Sequence, residues 1–215
     1  MTGEQLRAEL ADRGILAVLR AGSAGRAVAA ARALAEGGVT AIEVTFSVPD
    51  AAAAIAELAT DESLLIGAGT VLRADQVDAV IGAGGRFVVS PNFDEQVLDA
   101  AAGHGVPALP GVLTPTEVAR AAPRCSLVKL FPASLGGPAF LAALREPFPE
   151  LGFVPTGGVT AVGVGDWLRA GAVAVGAGGD LCPREAIEAG DVDLLRARAR
   201  RYADAFSEVA HTAGS

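Results

Sequence analysis

The sequence is short of nearly every residue that would mark a metal or disulfide protein. Its 215 residues include two cysteines, two histidines and, beside sixteen arginines, one lysine. Cys125 and Cys182 lie far apart and form no Cys-x-x-Cys or Cys/His spacing. With only His104 and His211 as imidazoles, a structural zinc site and a disulfide framework are both excluded, and no metal or other cofactor is expected. Two reduced thiols point to a cytoplasmic protein. Positive charge is also scarce: 17 Lys and Arg against 25 Asp and Glu leave a net charge of −8 and a pI of about 4.8, a poor balance for nucleic acid. Long apolar runs are missing despite a mean hydropathy of +0.42. The longest stretch free of Asp, Glu, Lys and Arg, Ala100–Thr116, is broken by His104, Pro107, Pro110 and Pro115, so no membrane span is expected. The opening MTGEQLRAELADRG is acidic and has no apolar core, so no export signal is expected.

The chain does have apolar mass, 51% of residues against 20% charged, which suffices for a core without staples and argues against disorder. Short apolar, often β-branched runs recur at Ile15–Arg20, Ala41–Phe46, Leu65–Thr70, Arg86–Ser90, Pro107–Val112, Leu127–Pro132, Phe153–Gly157 and Ala172–Gly176. Bounded by Gly and Pro, they read as buried parallel strands. Helical segments fall between them at Ser23–Glu36, Pro49–Leu58, Asp75–Ile81, Asp94–Ala102, Pro115–Ala121, Pro138–Leu144 and Ala161–Arg169. A short helix, Glu4–Asp12, precedes the first strand and a closing helix runs over Val192–Ala210. Ser23 is a helix cap, Pro49 and Asp50 suit a first turn, and Gly37-Gly38, Gly84-Gly85 and Ala170-Gly171 stand where helices end. Eight strand–helix units predict an α/β fold, a single (β/α)8 TIM-barrel domain over residues 1–215, with a doubly wound open sheet as the alternative. Barrel chemistry would then sit at the C-terminal ends of the strands.

Lys129 lies inside one of those strands, in Leu127-Val128-Lys129-Leu130-Phe131. The composition uses arginine wherever charge alone is needed, and arginine cannot act as an amine nucleophile; lysine can. Lys129 is therefore the Schiff-base candidate, against the plainer reading of a lysine reaching from a strand end into solvent. Glu43 is the second unusual residue, an acid between Ile42 and Val44 where burial costs several kcal/mol unless the group is paired or neutral. Period two puts Glu43 and Thr45 on one face. If that face lines a barrel, Glu43 reaches Lys129 and can shuttle protons, or it pairs with Lys129 or Arg20 and only fills space. Arg20 ends the first strand, where a guanidinium fork suits a carboxylate or phosphate. Thr70 and Thr156 end the third and seventh strands. The turns Thr156-Gly157-Gly158 and Gly176-Ala177-Gly178-Gly179 are anion-site candidates that match no Walker A or full dinucleotide fingerprint. His104 and His211 read as surface residues, Trp167 and Tyr202 as packing residues.

Together these residues resemble the class I aldolases that act on 2-keto-3-deoxy-6-phosphogluconate (KDPG) and 4-hydroxy-2-oxoglutarate (KHG). The likeness runs through Ala17-Val18-Leu19-Arg20, Glu43-Val44-Thr45, Gly67-Ala68-Gly69-Thr70-Val71, Val89-Ser90-Pro91, Pro110-Gly111-Val112, Lys129-Leu130-Phe131-Pro132 and Pro155-Thr156-Gly157-Gly158-Val159. The resemblance implies a metal-free homotrimeric barrel that releases pyruvate and an aldehyde. It also implies Lys129 as Schiff-base lysine, Glu43 as acid/base, Arg20 with Thr70 at the keto-acid carboxylate, and Pro91, Phe131 and Thr156 as further pocket residues. This sequence departs from the family pattern twice. Ser47 stands where other members carry a carboxylate-binding arginine, a role that passes to Arg20. Gly179 stands in the place of a phosphate-binding serine, followed by Asp180, which leaves the backbone of Gly157, Gly158 and Gly179 to hold phosphate. The residues themselves leave three readings open. They are an aldolase on a phosphorylated or unphosphorylated 2-keto-3-deoxy acid or on KHG, a sugar-phosphate isomerase or epimerase with Glu43 as base, and a non-catalytic keto-acid binding barrel.

Overall fold

The chain is seen here as a computed structural model that describes residues 1–213; side chains from Ala210 onward, His211 among them, lie outside that description. Strands and helices alternate in the order α1 (Gly3–Arg13), β1 (Ile15–Leu19), α2 (Ala24–Glu36), β2 (Ala41–Thr45), α3 (Ala51–Leu58), β3 (Leu65–Gly69), α4 (Ala74–Gly82), β4 (Val88–Val89) and α5 (Glu95–Gly103). The second half continues with β5 (Ala108–Leu109), β6 (Gly111–Val112), α6 (Pro115–Ala121), β7 (Leu127–Leu130), α7 (Gly137–Arg145), β8 (Gly152–Pro155), α8 (Val164–Arg169), β9 (Val175–Ala177), α9 (Arg184–Ala189) and α10 (Val192–Ala213).

All pairings among the named strands are parallel, in a six-stranded sheet of order β5-β4-β3-β2-β1-β9 and a three-stranded sheet of order β6-β7-β8. The expected fifth strand is split at Pro110, which has no N–H to give a ladder. Its carbonyl still accepts from Lys129 N at 2.9 Å. Between β8 and β9, Thr156 bridges to Gly176 and Val173 N donates to Phe153 O at 2.9 Å.

Several sequence expectations shift. The fourth strand shrinks from Arg86–Ser90 to two residues. The segment Ala161–Arg169 divides into a 3₁₀ turn at Ala161–Gly163 and α8. Asp50 caps α3 from a left-handed conformation, φ 54°, without a side-chain hydrogen bond, so it does not serve the first turn as its carboxylate suggested. Helix α9 was not anticipated; Pro183 opens it and Gly190, φ 72°, closes it. Ser23 does cap its helix, Asp94 is found to cap α5, and Gly38, Gly84 and Gly171 take the positive φ that ends α2, α4 and α8.

The strands' period of two sorts the core into two clusters. Ile15, Ala17, Leu19, Ile42, Val44, Ile66, Val128, Leu130 and Phe153 pack toward the helices. Leu16, Ala41, Leu65, Phe87, Leu109, Leu127, Val154 and Ala174 form a separate inner cluster drawn from strands of both sheets. Leu6 and Leu10 of α1 seal that inner cluster from below, each fully buried. Thr2 holds α1 with a capping box, its hydroxyl accepting from Gln5 N while Gln5 Oε1 accepts from Thr2 N. Two residues further along each strand, on the same inner face, come Val18, Glu43, Gly67, Lys129 and Thr156. The inner cluster is thus a floor on which the charged residues of β2 and β7 stand.

Candidate active site

Lys129 and Glu43 meet in the interior. Lys129 sits mid-β7, paired in register with Gly111 and Val154, and Glu43 mid-β2, paired with Val18 and Gly67. Their side chains are 6% and 0% exposed, and Nζ lies 3.0 Å from Glu43 Oε1. The ion pair is thus removed from water, with Oε2 of Glu43 accepting no hydrogen bond from any described residue. That oxygen is an available proton acceptor beside the amine. Arg20 is not the partner of Glu43.

Clearance around the pair is provided by glycine. A Cβ at Gly69 would lie 2.7 Å from Glu43 Oε1, so any larger residue there pushes the carboxylate. A Cβ at Gly111 would lie 2.1 Å from the Pro91 carbonyl oxygen, which sets half-buried Pro91 against β6. The Phe131 ring stands with its centroid 5.6 Å from Lys129 Nζ, and a Cβ at Gly157 would touch its edge at 3.3 Å. Thr156 is 5% exposed, and its side chain leaves no room for a Cβ at Gly176. The Thr156 and Gly157 carbonyls accept from Ala133 N and Ser134 N at 2.8 and 3.0 Å, tying the turn after β8 to the turn after β7. Gly157 and Gly158 adopt φ of 92° and 81°, a conformation a side chain would strain. Thr70, directly after β3, holds φ 56°, rare for a β-branched residue. It makes no hydrogen bond with Arg20 among the described residues.

A second group gathers at the ends of β1, β2 and β9. Arg20, Ser47 and Gly179 line one cleft of about 360 Å³ with Val18, Cys182 and Arg184. The Arg20 guanidinium passes over the turn after β9, where a Cβ at Gly178 would lie 3.7 Å from Nη1. Ser47 faces the same space as Arg20, and its hydroxyl lies 2.7 Å from that of Thr45, which donates to Leu19 O. Asp180 does not crowd this cleft as its position beside Gly179 suggested. Tyr202 O–H lies 2.8 Å from Asp180 Oδ2, and Arg198 Nη1 3.7 Å from Oδ1. Tyr202 is therefore more than a packing residue: its hydroxyl, also 3.0 Å from Val159 O, joins α10 to the turns after β8 and β9. Burial, with Asp180 beside it, holds its phenol proton well above the ordinary range.

The remaining candidates have plain roles. Burial pushes the Cys182 thiol up to about 12 and the Cys125 thiol up to about 11, so neither is a nucleophile at neutral pH. His104 is exposed with Nε2 2.7 Å from Asp78 Oδ1, and Trp167 packs in the outer core. Among the described residues no cluster of His, Cys, Asp and Glu could hold a metal ion. No described helix is long and apolar enough to cross a membrane. Sequence reading missed Arg184, whose only signal was its place after Pro183, and missed the clearance roles of Gly69 and Gly111.

Comparison with known proteins brings the same elements together. The family model for KDPG and KHG aldolase matches residues 6–197. A 2-dehydro-3-deoxy-phosphogluconate aldolase of Treponema pallidum is 41% identical over 80% of this chain and 83% of its own length. A probable 2-dehydro-3-deoxy-6-phosphogalactonate aldolase of Rhizobium meliloti is 40% identical over 84% of this chain and 87% of its own. The crystal structure of KDPG aldolase from Legionella pneumophila, with pyruvate captured as a covalent carbinolamine, superposes with a TM-score of 0.83 at 32% identity, covering 90% of this chain and 96% of that one. The interior lysine and glutamate, the parallel α/β frame around them and these likenesses converge: the chain belongs to the KDPG and KHG aldolase family.

Proposed function

We propose that this protein is a class I aldolase that reversibly cleaves a 2-keto-3-deoxy-4-hydroxy acid to pyruvate and an aldehyde, with Lys129 as the Schiff-base nucleophile and Glu43 as its proton shuttle. The observation that carries the assignment is the buried contact of 3.0 Å between the sole lysine and Glu43. Glu43 takes a proton from the Lys129 ammonium, and the neutral amine attacks the C2 ketone. Protonation of the carbinolamine hydroxyl by Glu43 releases water and leaves a cationic imine conjugated toward C3. Glu43 then removes the C4 hydroxyl proton, the C3–C4 bond breaks, and its electron pair moves into the imine to give an enamine and the free aldehyde. Protonation at C3 and hydrolysis release pyruvate and restore Lys129. Burial strengthens each of these charge contacts relative to water.

Arg20 holds the keto-acid carboxylate in place of the arginine that Ser47 replaces, and Thr70 assists from the end of β3; the shared cleft of Arg20 and Ser47 supports that substitution. Pro91, Phe131 and Thr156 complete the wall around the imine. Gly157, Gly158, Gly178 and Gly179 shape the anion end. The frame is a single closed (β/α)8 barrel. Support for closure comes from the inner cluster shared by both sheets, the continuity of β5 into β6 through Pro110 and the Thr156–Gly176 bridge. The protein assembles as a homotrimer, with Leu135 and Val162, 71% and 87% exposed, as apolar surface available for contact. Its free thiols suit the cytoplasm. The preferred substrate is KDPG, with KHG or an unphosphorylated 2-keto-3-deoxy sugar acid as the alternatives. Lys129→Arg retains the charge and removes the nucleophile; pyruvate release, followed with lactate dehydrogenase and NADH, should fall by at least about 1,000-fold. Activity within about tenfold of the parent would remove Lys129 from the mechanism.

A further inference from the structure

Arg184 is the one cation in the cleft to which neither the family pattern nor the reaction above gives a task. It is the first residue of α9, a helix that Glu188 ties to the turn after β1, its Oε1 accepting from Gly22 N at 2.6 Å. Arg13, Arg32, Arg73, Arg124, Arg169 and Arg196 each pair with a carboxylate. Arg20 and Arg184, like Arg7, Arg26, Arg120 and Arg145, form no ion pair among the described residues; what sets these two apart is that they line one cleft. Each guanidinium lining that space can take an anion of its own in a bidentate fork.

The space beside them is also open. Nothing lies within 4 Å of where a Cβ at Gly179 would stand, so the missing side chain leaves room, and Asp180 is turned toward Tyr202 and Arg198. One carboxylate is satisfied by one bidentate fork, and Arg20 is committed to the keto acid in the aldolase reading on which this inference rests. We propose that Arg184 is a specificity-determining residue: it binds a second anionic group, a phosphate or a carboxylate, at the end of the substrate remote from the keto acid. It selects keto acids that carry a second anionic group over those whose only anion is the keto-acid carboxylate.

The test compares Arg184→Ala and Arg184→Lys with the parent on three substrates: KDPG, its unphosphorylated counterpart and KHG. Circular dichroism and gel filtration establish that the variants fold, as an exposed helix-terminal position permits. In Arg184→Ala the preference for the substrate with a second anionic group, KDPG or KHG, over the unphosphorylated counterpart of KDPG should fall about 10- to 100-fold, carried mainly by KM, with Arg184→Lys restoring part of it. Collapse of the KDPG preference identifies phosphate as the bound group, and collapse of the KHG preference identifies carboxylate. Titration with inorganic phosphate gives a readout independent of turnover: affinity should drop at least tenfold in Arg184→Ala. Preference ratios and phosphate affinity within twofold of the parent would overturn the role of Arg184. Borohydride trapping of pyruvate on the parent protein, run alongside, separates this outcome from a failure of the aldolase reading itself.

Discussion

Replacing Lys129 by methionine should destabilise the protein far more than it changes its shape, and adding Glu43→Leu should bring the stability back. At the 3.0 Å separation of Nζ and Oε1 the pair attracts by about 5.5 kcal/mol in an effective dielectric of about 20. Stripping water from each ion costs several kcal/mol, so the pair as a whole contributes little net stability. Lys129→Met keeps most of the unbranched apolar stem but leaves Glu43, fully buried, without its counter-charge. Such orphaned charges cost about 3–5 kcal/mol. For a chain of this size about 1 kcal/mol moves Tm by about 2–4 °C, so Tm should drop by about 6–20 °C. In the double variant two apolar side chains fill the same space, and Tm should return to within a few degrees of the parent or rise above it. Calorimetry of the four proteins in a double-mutant cycle measures the coupling. Both single variants within 2 °C of the parent, with no coupling, would refute the buried ion pair. Recovery of stability without recovery of activity would show that the pair is kept for chemistry.

Gly69→Ala places a methyl group where Glu43 Oε1 now has 2.7 Å of clearance, so the carboxylate must shift; kcat should fall about 10- to 100-fold with a stability cost of about 1–3 kcal/mol, read by steady-state kinetics and melting. Thr70→Gly relieves a β-branched residue at φ 56° and should raise stability by up to about 1 kcal/mol while KM for the keto acid increases; a loss of stability would mean that Thr70 makes compensating contacts. The Cys182 thiol, held protonated up to about 12 in the folded protein against an ordinary value of 9.0, gives stability that is present below pH 9 and declines as pH rises above it. Cys182→Ala should flatten that alkaline decline in Tm, and iodoacetamide at neutral pH should leave both native thiols unmodified.

The parallel α/β frame was legible because each strand is a short apolar run with Gly or Pro at its ends, and the inner-face residues followed from period two once Leu127 and Ala41 were known to point inward. Lys129 stood out because it is the sole lysine and lies in an apolar strand, and Glu43 because an acid between Ile42 and Val44 needs a partner. What could not be read came from contacts distant in sequence. Nothing in Ala-Gly-Gly-Asp announces that Asp180 turns toward Tyr202 and Arg198, since those residues lie on the closing helix. Gly69 and Gly111 looked like turn or strand residues, and their clearance roles appear only when Glu43 and the Pro91 carbonyl are placed against them. Helix α9 is six residues long and buries only Ala186 and Ile187, too few to give a periodic signal; its Pro183 and Gly190 punctuation was the only trace. The break at Pro110 was visible, but a missing N–H divides a ladder without displacing the strand, so the β5–β6 line continues through it.

The most direct test of the central claim is borohydride reduction in the presence of pyruvate, followed by intact mass and peptide mapping. With one lysine in the chain, the N-terminal amine is the only other primary amine, and mapping separates the two. The mechanism predicts one reduced pyruvyl group per chain, on the peptide that carries Lys129. Bound pyruvate with no adduct on Lys129 would contradict it.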